Sequence, residues 1–404
     1  MIGKKTPLNQ NVVVIGLGYV GLPIALAASK VGFNVIGIDN DLKKLSNLNK
    51  GVSSFEDSEN LEFIEKIKEN KISFSSDFSP VETANVILVC VPTPLGQDRG
   101  PNLEILIDVM SKVSVYLQKN TLVIIESTVA PGTTRNIILP ILEKASTAAK
   151  SEFLLAFSPE RIDPLNTDWN VVTTPKLISG ITAEACQRSL DFYSKFIDQL
   201  IICESVETAE TAKLLENSFR LVNISFINEL AIFCNKIGID VNDVIRAAAT
   251  KPYGFMPFYP SIGAGGHCIP VDPVYLADKA KQVGAPITMI DLAGQINREI
   301  PIYYVGRAKE KLNGLQGKKI IVVGIAYKPN ITDTRETPAE SLIFEFRRRG
   351  AFVSWHDDLV KEWHGEKSVA LSSNYDLAIL ATPHDYLDLS MLGDVPILKT
   401  SGSI

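Results

Sequence analysis

Apolar and polar positions follow two alternating rhythms along this chain. Short β-branched runs at 12–15, 34–38, 86–91 and 122–126 read as buried strands, as do weaker runs at 153–156 and 177–179. Between them, helical periodicity at 61–69 and 103–118 predicts helices. Strand and helix in alternation predict a parallel, doubly wound sheet. From about 206 the rhythm changes. Apolar residues run from Leu214 to Phe233 with neither proline nor glycine before Gly238, which predicts one long helix, apolar on more than one face. Such a helix suits a spine between domains and a dimer interface, and burial inside one chain explains it equally well. Beyond it, residues 318–327 echo 11–19 and residues 350–359 echo 32–42, so a second βαβ domain follows, completed by strands at 377–381 and 396–398.

The first strand enters Gly16-Leu17-Gly18-Tyr19-Val20-Gly21, a helix follows, and the second strand ends at Asp39, 18 residues past Gly21. This GxGxxG stands in the context that gives the pattern meaning. A pyrophosphate would lie on the helix N-terminus, and Asp39 would accept hydrogen bonds from an adenosine ribose and repel a 2′-phosphate, favouring NAD over NADP. The plainer reading is a tight turn in a non-binding α/β fold. In the echo the fingerprint is reduced to Gly324-Ile325-Ala326, so that domain should hold something other than a dinucleotide pressed to its backbone. The expected fold is therefore two Rossmann-like, doubly wound parallel-sheet domains joined by a long central helix. Its expected divisions are 1–205, a central region over 206–300, and 301–404.

The central region carries Gly265-Gly266-His267-Cys268-Ile269-Pro270-Val271-Asp272-Pro273. Two glycines beside a cysteine would let a substrate approach closely, and Asp272, four residues on, could handle protons or a water. Nucleotide-driven oxidation joined to a nucleophilic thiol suggests an alcohol taken past the aldehyde to an acid through a thioester. A core cysteine in a tight turn is the bland alternative. Lys213 and Asn217 stand four apart on the long helix, hence on one face, and could hold an oxyanion, unless that face is simply solvated. Thr128 and Glu160 follow the ends of two strands, where open α/β sheets gather ligands, although either could be a cap or turn residue. Lys328 and Arg335 follow the first strand of the echo and suit phosphate, unless they merely pair with Asp333 and Glu336.

Composition narrows the field further. A net charge of −6 supplies no basic stripe for nucleic acid. Five scattered cysteines without CxxC spacing fit reduced thiols in cytoplasm, and four histidines without HxH or HExxH pairing give no support to a metal site. The opening Met1-Ile2-Gly3-Lys4-Lys5 leads into a polar stretch, so no signal peptide is expected, and no apolar run reaches membrane-spanning length.

Taken in order, GLGYVGLP, VCVPTP, ESTVAPGTT, FSPERIDP, AKLLENSFR, GGHCIPVDP and AYKPNITDTRET resemble the UDP-glucose/UDP-N-acetylhexosamine 6-dehydrogenase family over nearly the whole chain. The segment Thr250-Lys251-Pro252-Tyr253-Gly254-Phe255 with Phe258-Tyr259-Pro260 looks most like the branch acting on UDP-N-acetylglucosamine or its galacto epimer, and Arg161 agrees with an acetamido sugar. The resemblance implies oxidation of the sugar C6 alcohol to a carboxylate with two NAD+ consumed. It makes Cys268 the nucleophile, Lys213 and Asn217 the oxyanion donors, Asp272 and Thr128 the proton relay, and Glu160 the group for thioester hydrolysis. It assigns Gly16, Gly18, Tyr19, Val20, Gly21, Asp39, Pro92, Thr93, Ser127, Thr128 and Arg335 to NAD. Glu160, Arg161, Lys213, Asn217, Lys251, Tyr253, Phe258, Tyr259, Gly265 and Lys328 fall to the UDP-sugar. A cytoplasmic homodimer joined through the central helix, making a surface polysaccharide precursor without nucleic-acid, membrane or metal partners, completes the expectation. The chain departs from the family after Leu398, where Lys399-Thr400-Ser401-Gly402-Ser403-Ile404 replaces an Asp-x-Arg-like element, so an arginine contact to substrate is expected to be missing. UDP-glucose and the N-acetylmannosamine and N-acetylgalactosamine nucleotides stand as alternative substrates. A two-electron hydroxy-acid dehydrogenase and a non-catalytic NAD or nucleotide-sugar sensor are the competing classes.

Overall fold

The structure, a computed structural model, describes residues 10–53, 57–145, 152–162 and 168–400. The opening residues 1–9, residues 163–164 of FSPERIDP and the closing 401–404 lie outside the described residues. The chain forms two compact units, Met1–Leu214 and Leu215–Ile404.

In the first unit, β1 (Asn11–Ile15), α1 (Gly21–Lys30) and β2 (Asn34–Ile38) make the expected βαβ start. They are followed by α2 (Leu42–Asn49), α3 (Asp57–Lys68), β3 (Ile72–Ser75), β4 (Val86–Val89), α4 (Glu104–Tyr116), β5 (Leu122–Ile125), α5 (Leu139–Ala145) and β6 (Leu154–Phe157). Then come β7 (Lys176–Gly180), α6 (Ala183–Tyr193) and β8 (Leu200–Ile202). Eight strands form one sheet in the order β3-β2-β1-β4-β5-β6-β7-β8. Strand alternation sends Val12 and Val14 into one core with α1 and α6, and Val13 and Ile15 into the other with α4. Covered on both faces, β4, β5 and β6 are buried at every position, which is why they read as unbroken apolar runs.

One seam departs from the parallel sheet read in the sequence. β7 runs antiparallel to β6, pairing Ala156 with Gly180 and Phe157 with Ser179. A parallel neighbour needs a crossover, usually a helix, and residues 158–175 supply no helix among those described, so the chain turns back on itself. α6 then provides a crossover, and β8 is parallel to β7.

α7 (Val206–Ile237) begins in the first unit and continues into the second, at 32 residues the longest described helix. The second unit continues with α8 (Val241–Ala249), α9 (Asp272–Gln282), α10 (Thr288–Leu312), β9 (Lys319–Val323), α11 (Pro338–Arg348) and β10 (Phe352–His356). A small hairpin of β11 (Glu362–Trp363) and β12 (Glu366–Lys367), then β13 (Leu377–Leu380) and β14 (Ile397–Lys399), close it. Its sheet, β10-β9-β13-β14, is parallel throughout and packs around Ile320, Val322, Phe346 and Trp355. α10 passes through residue 300 without a break, so the division expected there falls inside a helix.

Candidate active site

The glycine turn after β1 is tight in two places and open in one. A Cβ on Gly16, whose φ is +92°, would lie 2.6 Å from Cys90 O, and one on Gly21 would lie 1.9 Å from Gly16 O. A Cβ on Gly18 would meet nothing within 4 Å. Packing thus demands the outer glycines, while the middle one leaves the backbone accessible where a pyrophosphate would approach the start of α1. Asp39 accepts the amides of Leu17 at 2.9 Å and Asp41 at 3.0 Å, and the ammonium of Lys44 at 2.8 Å. Burial opposes its charge, but the bonds from Lys44, Asp41 and Leu17 hold the carboxyl below its ordinary range, so it is an anion ready for a ribose hydroxyl. These residues fit a bound NAD. Lys44 was not singled out in the sequence, where it reads as an ordinary helix-surface lysine. Tyr19 is exposed, Val20 half-buried, and Pro92 lies exposed in the loop after β4.

The loops after β4, β5 and β6 are held together by side chains that bond backbone carbonyls. Thr93 Oγ1 donates to Thr128 O at 2.7 Å, and Ser127 Oγ donates to Val91 O at 2.7 Å. Glu160 takes its own Ile162 amide with one oxygen, as a turn residue would, and its other oxygen lies 4.0 Å from Lys213 Nζ. Arg161 Nη1 donates to Pro175 O at 2.8 Å. Glu210, one turn before Lys213, was not singled out in the sequence. It is fully buried and accepts the amides of Gly132 at 2.6 Å and Thr134 at 2.9 Å. Burial outweighs those bonds and pushes its carboxyl up to about 7.

Lys213 and Asn217 are 5% and 6% exposed, which excludes the solvated-face reading of α7. Asn217 Nδ2 donates to Asp272 Oδ2 at 2.6 Å, so two residues separated by 55 positions meet in a buried pair. Asp272 opens α9, and its amide bonds Cys268 O at 2.9 Å. Cys268 itself is exposed and so is no core thiol, in contrast to Cys234, which is buried.

The glycines beside Cys268 do a different job from the one expected of them. A Cβ on Gly265 would lie 2.8 Å from Glu336 O and from Tyr327 Cβ, and one on Gly266 would lie 2.8 Å from the Tyr327 ring. They make room for the loop after β9 rather than for an incoming substrate, and Gly266 N bonds Arg335 O at 3.0 Å to fix the contact. His267, passed over in the sequence, is driven toward its neutral form by burial and then by the charge of Arg335. Arg335 is forked onto Asp333, with Nη2 at 2.6 Å, while Lys328 is half-buried on the same loop. Lys251 lies over the Tyr253 ring at 4.9 Å, Phe258 packs against Phe219 at 5.7 Å, and Tyr259 is half exposed. Among the described residues there is neither a cluster suited to a metal ion nor a helix long and apolar enough to cross a membrane.

The first unit carries a dinucleotide turn with an acidic strand end, and the second carries an exposed thiol four residues before the aspartate of a buried Asn–Asp pair; each by itself is a feature of nucleotide-dependent oxidoreductases with a cysteine loop. The NAD binding domain of the UDP-glucose/GDP-mannose dehydrogenase family matches residues 10–197, its central domain 207–299 and its UDP binding domain 321–395. Protein CapL of Staphylococcus aureus is 34% identical, with 94% of this chain and 92% of that protein covered. UDP-N-acetyl-D-glucosamine 6-dehydrogenase of Pseudomonas aeruginosa is also 34% identical, with 93% of this chain and 91% of that protein covered. The solved structure of a UDP-D-ManNAc dehydrogenase from Pyrococcus horikoshii superposes with a TM-score of 0.89 at 29% identity, with 98% of this chain and 96% of that one covered. The chain belongs to the UDP-glucose/GDP-mannose dehydrogenase family and is an NAD-dependent nucleotide-sugar dehydrogenase.

Proposed function

We propose that the protein oxidises C6 of a UDP-N-acetylhexosamine, UDP-N-acetylglucosamine first among them, to the carboxylate. The exposed Cys268, four residues before a buried aspartate paired with Asn217, is the observation that carries this reading. NAD+, when bound, supplies the acceptor for a hydride, and an alcohol-to-acid oxidation requires two of them in succession. The residues of the Gly16–Gly21 turn and Asp39 would hold it, with Tyr19, Val20, Pro92, Thr93, Ser127, Thr128 and Arg335 completing that set.

Cys268 adds as a thiolate to the C6 aldehyde, forming a C–S bond, and Lys213 and Asn217 donate hydrogen bonds to the resulting alkoxide. Asp272 and Thr128 relay the proton leaving the C6 hydroxyl. Once the thiohemiacetal has been oxidised to the thioester, Glu160 takes a proton from the water that attacks the acyl carbon, and the C–S bond breaks to return the thiolate. Covalent retention keeps the aldehyde from escaping between the two oxidations. Lys328 serves the nucleotide-sugar, with Arg161, Lys251, Tyr253, Phe258 and Tyr259 around the hexosamine.

The relatives divide between acetamido sugars, a UDP-N-acetylglucosamine enzyme and a UDP-N-acetylmannosamine enzyme, and this favours UDP-N-acetylmannosamine as the second choice. We also take the protein to be a homodimer through α7, on which Leu215, Phe219, Phe226 and Phe233 remain 45–61% exposed. Sedimentation should show twice the chain mass, and a monomer at micromolar concentration removes that proposal.

A panel of UDP-sugars with NAD+, followed by NADH absorbance and product analysis, tests the assignment. Two NADH per sugar and an acid product are expected, fastest with UDP-N-acetylglucosamine. One NADH per sugar, or preference for UDP-glucose, overturns it. Cys268→Ser should bind NAD normally and form no acid. Unchanged acid formation in that variant would falsify the covalent role.

A further inference from the structure

Behind the ends of β5 and β6 lies a buried set of ionisable side chains that none of these roles uses. Glu126 follows β5 directly and is 1% exposed. Lys176, the first residue of β7, places Nζ 2.6 Å from Glu126 Oε2 and 3.4 Å from Pro159 O. Tyr193 donates its hydroxyl to Glu126 Oε1, and its ring lies 4.9 Å from the Lys176 ammonium. Burial and then the charge of Glu126 push the Tyr193 hydroxyl well above its usual range, so it remains a donor. Ser158 Oγ adds a 2.7 Å bond to Leu177 O, and Arg161 binds Pro175 O, so the start of β7 is joined three times to the loop that carries Glu160.

A buried ion pair is a poor source of stability, because desolvation offsets its attraction and an apolar pair of similar volume serves as well. Its placement is more telling. Since β7 runs against β6, its first residue arrives at the carboxyl end of β6, the end from which Glu160 follows. From there one ammonium reaches both the carboxylate that precedes Ser127 and Thr128 and the carbonyl that precedes Glu160. We propose that Lys176, acting through Glu126 and Pro159, is a positioning residue that fixes the Thr128 and Glu160 loops relative to each other for hydrolysis of the thioester. This rests on the thioester reading above. Lys176 touches no reacting atom, and no bond to it forms or breaks.

Lys176→Met alone strands a buried carboxylate, so the decisive variant is the double K176M/E126Q, which removes both charges and keeps an acceptor for Tyr193. Lys176→Arg is the conservative control, and thermal melting checks that each variant folds. Mixed with NAD+ and the UDP-sugar that the wild type turns over, the double variant should release NADH in a rapid burst and accumulate an acyl adduct on Cys268, read by intact mass. Its steady-state turnover should fall about 100-fold, as expected when catalytic groups are displaced by about 1 Å, with KM for both substrates little changed. Lys176→Arg should recover most of that loss. A folded double variant that turns over like the wild type without adduct overturns the role of Lys176, as does a change confined to KM. A wild type that itself forms only one NADH per sugar and no adduct removes the thioester reading, and this inference with it.

Discussion

The two βαβ starts share a skeleton down to single hydrogen bonds and differ in what they leave open. Gly16 N bonds Ile38 O and Gly324 N bonds His356 O, both at 2.8 Å. Leu17 N reaches Asp39 at 2.9 Å, and Ile325 N reaches Asp357 at 3.0 Å. Each turn glycine presses on the next strand's loop, Gly16 against Cys90 and Gly324 against Thr382. There the likeness ends. Gly18 is exposed, whereas Ala326 in the matching place is fully buried. Asp39 is met by a surface lysine, whereas Asp357 is met by buried His384, whose Nε2 lies 2.9 Å away and whose Nδ1 accepts the Asn330 amide. α1 begins at Gly21, but α11 waits until Pro338, and the interval is spent on the loop that carries Lys328 and Arg335. The turn that stands open at Gly18 in the first domain is closed at Ala326 in the second, where a longer loop precedes the helix. Closing it took a methyl group and an imidazole.

The sharpest way to break this comparison is to fill the turns. Gly21→Ala and Gly324→Ala each push a Cβ to 1.9 Å from a carbonyl oxygen. Either should cost about 3 kcal/mol or more, read as a large fall in melting temperature. Gly18→Ala should leave melting within about 0.5 kcal/mol of wild type while weakening NAD binding. Equal destabilisation by all three would end the distinction between packing glycines and the open one.

Exchanging the acids should separate the domains next. Asp357→Asn removes the charge that serves Leu359, Val360, Ile325 and His384, and should cost about 2 kcal/mol. Asp39→Asn should cost at most about 1 kcal/mol and instead relax the preference for NAD over NADP. Cofactor titration and denaturant melts distinguish the two outcomes.

The last effect is in pH, where Asp357 and Glu210 carry opposite signs. Burial opposes the charge of Asp357, but its bonds from Val360, His384 and Ile325 lower its carboxyl below 3.8. Its stabilisation is present above that value and is lost as pH falls through the lower folded one. Glu210, raised from 4.5 to about 7, does the reverse: its contribution is complete below pH 4.5 and is lost as pH rises through about 7. Glu210→Gln should flatten that upper slope, worth on the order of 3 kcal/mol at most, in melts taken from pH 4.5 to 8. A slope unchanged in the variant would assign it to another group.

Features set by local chemistry were legible before any coordinates. The strand–glycine–helix–Asp39 unit, its degraded echo and the long α7 follow from turn chemistry and periodicity within about thirty residues. Features set by distant partners were not. Lys176 reads as a charge at the mouth of a strand, yet its partner is Glu126, 50 positions away. His384 reads as a loop histidine, yet it meets Asp357 from 27 positions off. The antiparallel seam was hidden because the direction of β7 depends on the path of the preceding connection, which periodicity does not encode. Gly265 and Gly266 were marked correctly as unusual and given the wrong reason, since the space they leave is taken by Tyr327, 61 residues beyond Gly266. Burial of Lys213, Asn217 and Glu210 likewise could not be read from a helix that is apolar on several sides.

That occupancy by Tyr327 ties two evolutionary choices together. The stretch after β9 cannot be lengthened, shortened or stiffened without dragging the backbone under Cys268, because ring and glycine already touch. A designer replacing the loop after β9 should therefore transplant the cysteine turn and its aromatic neighbour as one cassette.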